Sequence, residues 1–454
     1  MNKQERKILF VLSAMSFIIM YIEAMMIPAL PQILMELDYS ISPAVLSWII
    51  TGYLLMAAIS MPILAKLGDR YGKKLILLIS IIIYAFSVSL SGFQTIYINL
   101  IILRVFQGIG AGVFPLSYSI ISENYDKADV GFAQGILSSM FALGASFGII
   151  IGAIIDYNLN WQWAYHFVTP FVFIILFLVF LYVPNDKGIN DLKLDFFGLM
   201  NLSFGILFFI FAITDNYNLY YIFSLFFIIL FLINEKISAS PFISLNLLRK
   251  RNVLIANILA FFIGSAQFLF YQPIILLLTN PGFYGYNYNY IIAGLIILPY
   301  SLAMLFVSPI AGILLRKISK KKLLIFGSFL MSIGYILLSF YHNNIFLIIL
   351  YEILVSSGLG IALVVSINLL TYSVPKETVS VNTGINMVSR TIGGVIGGTI
   401  SGIILTRYQY YFLPNIYALP ILLPNGIAFS YTFILGSVFA LFSFFFSLFI
   451  ESKT

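Results

Sequence analysis

Four ionisable side chains lie inside long apolar segments of this 454-residue sequence: Glu23, Arg104, Glu352 and Arg390. An ionised residue at the centre of a membrane-spanning helix costs about 2.5–3.5 kcal/mol, so we expect these four to be paired or to face a water-filled cavity. Glu23 and Arg104 are predicted to lie at similar depths, and a change in the distance between them would let the carboxyl group bind and release a proton. We therefore predict that Glu23 and Arg104 form a proton-coupling pair; a fixed structural ion pair is the alternative.

Polar residues at helical spacing form a second candidate site. The segments 253–279 and 382–406 each carry polar residues every three or four positions, which places those residues on one face of a helix. The residues predicted to line a substrate cavity are Tyr53, Gln107, Asn257, Gln267, Tyr271, Glu352, Asn382, Asn386 and Arg390. The alternative is helix packing, in which amides and hydroxyls bond a neighbouring helix, but this alternative does not account for Arg390.

The composition excludes a soluble protein. Only 9% of the residues are charged, 61% are hydrophobic and the mean hydropathy is +1.03, whereas roughly 25% of the residues of a soluble domain are charged. A soluble enzyme or a nucleic-acid-binding protein of this size would need more polar surface. The chain has no cysteine, and its two histidines, His166 and His342, are far apart. We therefore predict a polytopic membrane protein with no catalytic residues and no metal site.

Apolar segments long enough to span a membrane recur along the whole chain. The fourteen predicted spans cover residues 8–30, 44–64, 74–93, 97–121, 131–155, 164–183, 196–215, 219–234, 253–279, 289–313, 322–341, 345–372, 382–406 and 428–449. With the N-terminus inside, 21 of the 24 basic residues fall in cytoplasmic segments, as the positive-inside rule requires. The net charge of +7 is therefore a topology signal, and both termini are predicted to lie inside.

The connections between the spans leave no room for a separate folded domain. The longest cytoplasmic connection runs only from Glu235 to Arg251. The outer segments Asn280–Tyr290 and Tyr408–Asn425 are rich in tyrosine, proline and asparagine. Anchoring of aromatic rings at the membrane interface is the first interpretation of these segments, and an outer lid is the second.

An internal repeat indicates two related halves. Glycines occupy every fourth position from Gly144 to Gly152, and the same pattern recurs 250 residues later, from Gly394 to Gly402. The glycine pair of Gly108-Ile109-Gly110 recurs at the same offset. Such repeats are common in secondary transporters, whose binding site lies between the repeats near the middle of the membrane. The glycines predicted to lie in helix-packing interfaces are Gly135, Gly144, Gly148, Gly152, Gly394, Gly398 and Gly402.

A short basic turn, Ala65 to Lys74, joins the second and third spans. Gly68 and Gly72 suit a close approach of two helices. Asp69 is predicted to lie where the third span begins, where a carboxylate caps free N–H groups and is favoured by the helix dipole. The alternative is a solvated turn that carries positive charge only for topology.

At this point the chain closely resembles the major facilitator superfamily. The turn 65–74 is similar to the superfamily's loop 2–3 signature, with Ala65 in place of the first glycine, and residues 100–112 are similar to its fourth-span signature. Asp195 to Gly198 and Pro241 to Arg251 resemble the fourteen-span drug/proton antiporters. Four residues of the second span resemble the pattern of those antiporters: Trp48, Thr51, Tyr53 and Leu54.

The resemblance implies an all-α membrane protein with the major facilitator fold. It implies two six-helix bundles, 1–185 and 237–454, and an insertion of two transmembrane helices, 186–236, between them. It also implies a cytoplasmic gate formed by Gly68, Asp69, Arg70, Gly72 and Lys73. Glu23 is similar to the acidic residue that precedes an Ala-Leu-Pro step in these antiporters. The antiporter motif of the fifth span is matched only in part, because Ile149 stands where the family has proline and Ala153 where it has the last glycine.

These features predict a secondary transporter of the cell membrane, working by alternating access. We expect proton-coupled efflux of hydrophobic or amphipathic small molecules; a metabolite uptake carrier or facilitator with the same fold is the alternative. The expected partners are the small-molecule substrate, protons and the lipid bilayer, with no nucleic acid, and the protein is expected to be a monomer. No cofactor is expected, since the proton gradient is the energy source. A membrane enzyme, a channel and an ATP-driven pump are disfavoured by the absence of a clustered acid/base set, a selectivity filter and a nucleotide-binding loop.

Overall fold

The computed structural model describes residues 1–37, 48–189, 195–215, 217–238, 241, 245–413 and 421–451. The helices are α1 (Lys3–Ala24), α2 (Met26–Leu37), α3 (Trp48–Tyr71), α4 (Lys73–Ser91), α5 (Tyr97–Gly108), α6 (Val113–Asn124), α7 (Lys127–Asn158), α8 (Trp161–Tyr182), α9 (Phe196–Asp215), α10 (Asn218–Ile237), α11 (Leu245–Leu248), α12 (Arg251–Thr279), α13 (Tyr290–Leu314), α14 (Lys320–Phe340), α15 (Ile345–Ser373), α16 (Val379–Arg407) and α17 (Gly426–Ser447). Two strands, β1 (Gln409–Phe412) and β2 (Ile421–Pro424), pair antiparallel.

Within these ranges, thirteen helical segments are long and apolar enough to cross a membrane. A further helix, α9, has a shorter apolar stretch, Phe196–Ala212. All fourteen predicted spans fall on these segments, although the first residues of the second predicted span lie outside the described residues.

Two of the spans are interrupted at places that the sequence explains. The first span breaks at Met25, between α1 and α2. The ring of Pro28 would clash with the carbonyl group of Ala24, four residues earlier, and proline has no N–H to continue the helix. The fourth span changes to a 3₁₀ turn at Ile109–Gly112, within a run that contains three glycines and therefore has low helix propensity.

Most of the buried apolar residues form two clusters that follow the two halves of the chain, and Phe231 and Val381 form a third, small cluster. One cluster is drawn mainly from residues 8–210 and the other mainly from residues 253–450. Between the halves, α7 packs along α13 and α16 packs along α3. The helices α9 and α10 pack on each other and reach the first half through Trp48 and Phe211, whose ring centroids are 5.2 Å apart.

The first and last described residues, Met1 and Glu451, lie at the same end of the helix bundle. The N-terminal amine is 2.7 Å from Asp129 Oδ2, and Glu451 is 3.4 Å from Arg251. The turn between α3 and α4 lies at this end too, since Lys73 is 3.0 Å from Glu123. We call this end, which also carries Arg316 and the lysines that follow it, the basic end.

A small two-stranded sheet interrupts this otherwise helical fold within the described residues. The strands β1 and β2 lie in the segment Tyr408–Asn425, for which a lid or aromatic anchoring was predicted, and residues 414–420 of that segment are outside the described residues. The ring of Tyr410 in β1 lies 5.1 Å from that of Tyr284, so the two predicted outer segments contact each other. Tyrosine and phenylalanine favour strands, and this signal could have indicated the hairpin.

Candidate functional site

A central cavity of about 180 Å³ lies between the two halves of the protein. The first half contributes residues of α1, α2, α3, the 3₁₀ turn, α6 and α7, and the second half contributes residues of α12 and α16. The cavity extends from Met61 and Met387 towards Ile50 and Ile275, which lie near the ends of their helices opposite the basic end, and it includes Ile27 in the first turn of α2. Most of the wall is apolar or aromatic, as is usual for sites that bind small organic molecules.

Each wall of the cavity is one face of a helix. On α12 the lining residues are Gly264, Gln267, Phe268, Tyr271 and Ile275, a spacing of three or four that keeps the side chains on one side. Some lining residues that the sequence analysis missed lie three or four positions from a polar residue that it found: Met20, Ile27, Ile50, Phe268 and Met387. Others, such as Phe114 and Phe141, belong to helices on which no cavity residue was predicted.

Glu23 lines this cavity, whereas Arg104 lies behind its wall. Arg104 is fully buried, and its guanidinium carbon is 4.9 Å from the ring centre of Tyr53, which itself lines the cavity. Glu23 and Arg104 are close enough for their charges to interact, but no ion pair joins them in the described part of the chain.

The hydrogen bonds of Arg104 explain why it is held away from Glu23. Its Nε donates to the carbonyl oxygen of Ile49 at 3.0 Å, and its Nη1 donates to Gln107 Oε1 at 2.9 Å and towards the carbonyl oxygen of Ile22 at 3.5 Å. Gln107 in turn donates to Ser91 Oγ at 2.8 Å. Arg104 therefore ties α1, α3 and α5 together, while the carboxylate that faces the cavity is Glu23.

Arg390 is the basic residue of the cavity wall. Its guanidinium carbon lies 4.4 Å from the ring centre of Phe141, which belongs to the other half of the protein. Its Nη1 is buried and has no hydrogen-bond partner among the described residues. The backbone of Arg390 packs against Gly264, where a Cβ atom would lie only 3.0 Å from Arg390 Cγ. A glycine at position 264 thus lets α12 and α16 approach closely beside the cavity.

Of the nine predicted cavity residues, the structure brings Tyr53, Gln267, Tyr271 and Arg390 together around the cavity. The other five do not line it: Gln107, Asn257, Glu352, Asn382 and Asn386. The two halves of the polar stripe on α16 differ because the residues nearer the basic end face neighbouring helices.

The amides of that stripe are used in packing. Asn386 donates to the carbonyl oxygen of Ala256 at 2.9 Å and to Asn257 Oδ1 at 3.2 Å. Asn382 donates to the carbonyl oxygen of Thr378, on its own helix, at 2.8 Å. These contacts correspond to the alternative of helix packing that the sequence left open.

Glu352 is buried inside the second half, away from the cavity. Its side chain has no exposed surface, and neither carboxylate oxygen has a hydrogen-bond or ion-pair partner in the described ranges. Its polar neighbours are Tyr300, on α13, and Tyr271, on α12. Glu352, which was predicted to line the cavity, therefore does not line it.

The basic turn between α3 and α4 is built around Lys73. Lys73 Nζ lies 3.7 Å from Asp69, 3.0 Å from Glu123 and 3.9 Å from Asp186. Arg70 lies outside this cluster and stacks over the neighbouring Tyr71 at 5.0 Å. The predicted gate residues are thus contiguous, but Lys73 is their electrostatic centre.

The prediction that Asp69 caps α4 is wrong. Asp69 lies in the last turn of α3, and the cap is Asp186, whose carboxylate accepts from the backbone N–H of Lys73 at 2.6 Å and of Lys74 at 3.1 Å. Gly72 has φ +101°, a conformation that favours glycine. Asp186 is 113 residues from Lys73, so the sequence alone gave no reason to connect them.

Contacts between the halves close the molecule at the basic end. Arg316 donates to Asp129 Oδ1 at 2.7 Å and to the carbonyl oxygen of Ala128 at 2.6 Å. Farther into the bundle, Asn368 donates to Gln134 Oε1 at 3.3 Å, and the hydroxyl group of Ser380 donates to Ser119 at 2.7 Å. These contacts therefore join the two halves between the cavity and the basic end.

The predicted packing glycines of α7 lie in two interfaces. Gly144, Gly148 and Gly152 pack against the backbone of α1 and Met25, while Gly135 packs against Pro309 of α13, with 2.7 Å between its would-be Cβ and Pro309 Cα. Because these glycines contact helices of both halves, a larger side chain at their positions would separate the helices around the cavity.

On α16 the closest packing uses different glycines from those predicted. Gly393 and Gly397 pack against the backbone of α12 at Phe261 and Ser265. Gly394 contacts the ring of Phe268, whereas Gly398 and Gly402 have only ordinary side-chain contacts, at 3.7 Å or more. The glycines that pack on α12 therefore lie one residue before the positions that the 250-residue repeat predicts.

Comparison with known proteins places this architecture in a family. The sequence profile described as Major Facilitator Superfamily matches residues 12–398 and 274–454. Multidrug resistance protein 3 of Bacillus subtilis is 28% identical over 381 residues, covering 80% of this chain and 73% of that protein. The multidrug transporter protein MdtP of the same organism is 26% identical over 392 residues, covering 83% and 71%.

Solved structures share the fold at low sequence identity. The human organic anion transporter MFSD10 (TETRAN) has a TM-score of 0.67 and 14% identity, covering 98% of this chain and all of that one. The proton:xylose symporter XylE has a TM-score of 0.67 and 15% identity, covering 96% and 94%. The chain is thus a multi-pass membrane transporter, not an enzyme, and it belongs to the major facilitator superfamily.

Proposed function

We propose that this transporter exports hydrophobic or amphipathic small molecules in exchange for protons. The observation that carries the proposal is the cavity between the halves, whose wall is largely apolar and aromatic but includes the carboxylate of Glu23. The names of the relatives, which are multidrug resistance and multidrug transporter proteins, support drug-like substrates. In this proposal the exporter acts in the cell membrane as a monomer, without a cofactor.

Alternating access supplies the transport step. The positive-inside rule favours a basic end that lies in the cytoplasm. In this orientation the chain has fourteen spans and both termini inside. Because the basic end is closed, the cavity then faces outward. Two bundles, 1–185 and 237–454, rock about the cavity, and the helices between them follow as an insertion. Breaking the contacts of Arg316 and Lys73 opens the cytoplasmic side.

Glu23 is the proposed proton carrier. It is the carboxylate among the cavity-lining residues in the described part of the chain, and intramembrane acids mark proton pathways. Arg104 acts on it as a nearby positive charge behind Tyr53 rather than as a direct partner. A proton that binds Glu23 from outside then neutralises its carboxylate when the substrate is released.

An uptake carrier is the second candidate, and one position supports it. Ile149 lines the cavity at the place where the antiporter motif has proline, and α7 runs without a break from Lys127 to Asn158. A helix without this proline lacks a ready site for a kink.

Purified protein in liposomes distinguishes the two. With the orientation of the inserted protein determined by protease accessibility, liposomes receive a pH gradient and rhodamine 123, and lumenal pH and dye are followed together. Exchange predicts that dye enters an acidic lumen while protons leave it. Movement of a substrate and protons in the same direction supports the uptake carrier, and no coupled movement over a panel of lipophilic dyes and metabolites contradicts both.

A further inference from the structure

The charges of the cavity wall come one from each half of the protein. Glu23 belongs to α1 in the first half and Arg390 to α16 in the second, and no other Asp, Glu, Lys or Arg lines the cavity in the described residues. They are close enough to interact electrostatically, yet no ion pair joins them. The cavity therefore offers an acid and a base that do not neutralise each other by direct contact.

Arg390 is arranged to receive an acceptor. Its stem is fixed by the packing of α16 on Gly264, and the face of its guanidinium lies on Phe141 at 4.4 Å. These contacts cover the face of the group, and Nη1 is buried without a hydrogen-bond partner in the part of the chain that the structure describes. A guanidinium whose donors are free binds a carboxylate or a similar oxyanion through paired hydrogen bonds.

The contrast with Arg104 shows what a purely structural arginine looks like in this protein. Arg104 donates through Nε and Nη1 to Ile49, Ile22 and Gln107, its Nη2 is buried without a partner among the described residues, and it does not line the cavity. Arg390 lines the cavity, and its buried Nη1 donates no hydrogen bond to any of the described residues. Leaving a buried donor unsatisfied costs about 1–3 kcal/mol, a cost that a bound acceptor removes.

We infer that the cavity binds amphipathic zwitterions, with an acidic group on Arg390, a basic group on Glu23 and an apolar body against the aromatic wall. This inference rests on the proposed function and names its substrate class. A ligand of this kind neutralises both charges and connects the two halves, whereas a simple cation leaves Arg390 unsatisfied. The body of the ligand contacts Phe114, Phe141 and Phe268, which line the space beside the two charges.

Two dyes with one skeleton test the inference. Rhodamine 110 carries a carboxylate and a cationic xanthene, and rhodamine 123 is its methyl ester, which keeps the cation but lacks the carboxylate. Binding of each dye to the purified full-length protein is measured by fluorescence polarisation. We expect rhodamine 110 to bind about tenfold more tightly, and R390Q to abolish this preference by weakening rhodamine 110 alone.

Matched variants make the result specific. Arg407→Gln is the same change on the same helix, at an exposed position outside the cavity, and should preserve the preference. Arg390→Lys keeps the positive charge but lacks the paired N–H donors of a guanidinium, so it should retain part of the preference for rhodamine 110. Equal binding of the two dyes by the wild type, equal weakening of both in R390Q, or binding of neither would overturn the inference.

The transport assay remains independent of this outcome. Exchange of rhodamine 123 for protons with no preference for rhodamine 110 would reject the zwitterion site and leave the proposed export intact. A preserved preference without proton exchange would reject the proposed export instead.

Discussion

Arg316, from the second half of the chain, and Asp129, from the first, form a 2.7 Å ion pair that connects the halves at the basic end. Asp129 also binds the N-terminal amine at 2.7 Å. We expect this cluster and that of Lys73 to help close the cavity on the basic side, and both can be tested separately from the cavity itself.

Replacing Arg316 by glutamine should loosen the basic end. The pair is partly exposed, so we expect a loss of about 0.5–1 kcal/mol, which corresponds to a shift of a few-fold between closed and open populations. The chain has no native cysteine, so spin labels at Ala128→Cys and Lys317→Cys report the distance without a background. Arg316→Gln should broaden that distance towards longer values. Unchanged distributions, with Arg407→Gln as the reference, would show that the pair does not hold the closed state.

Replacing Glu23 by glutamine should uncouple transport from the pH gradient. The amide keeps the size of the side chain but cannot bind or release a proton, so dye movement driven by the gradient should fall to the level of protein-free liposomes. Asp126→Asn, which removes an exposed acid between α6 and α7, serves as the control. Transport by E23Q with the wild-type pH dependence would exclude Glu23 as the carrier.

Asp69→Asn should slow transport without reducing expression. Asp69 is 5% exposed and lies 3.7 Å from Lys73, so the change removes one of the negative charges that hold Lys73 in the closed turn. Turnover should fall several-fold while the amount of folded protein, measured by fluorescence-detected size exclusion, stays the same. Normal turnover would indicate that Glu123 and Asp186 suffice to hold Lys73.

Replacing Glu352 by methionine should stabilise the protein. A buried carboxyl group with no partner for either oxygen costs free energy that an unbranched apolar side chain of similar size avoids. We expect a gain of about 1–3 kcal/mol, seen as a higher apparent melting temperature in detergent. The control is Glu377→Met, at an exposed position. A lower melting temperature for E352M would mean that Glu352 has a partner which the described contacts do not include.

Much of the architecture was determined by the sequence alone. Runs of apolar residues gave the helices and their order, because a helix in lipid must satisfy its own backbone and cover it with apolar side chains. The spacing of polar residues around Gln267, Tyr271 and Arg390 also indicated helix faces that do line the cavity, since helical periodicity is local.

Only the tertiary structure decided what each face meets. Arg104 and Arg390 look alike in sequence, yet one donates to carbonyl groups of two other helices while the other lies on a ring across the cavity. Asp186 caps a helix more than a hundred residues away, and Gly393 rather than Gly394 meets the backbone of α12. Periodicity fixes the direction of a side chain around its own helix, but its partner depends on the rotation and depth of a neighbouring helix, and these are set by packing between distant parts of the chain.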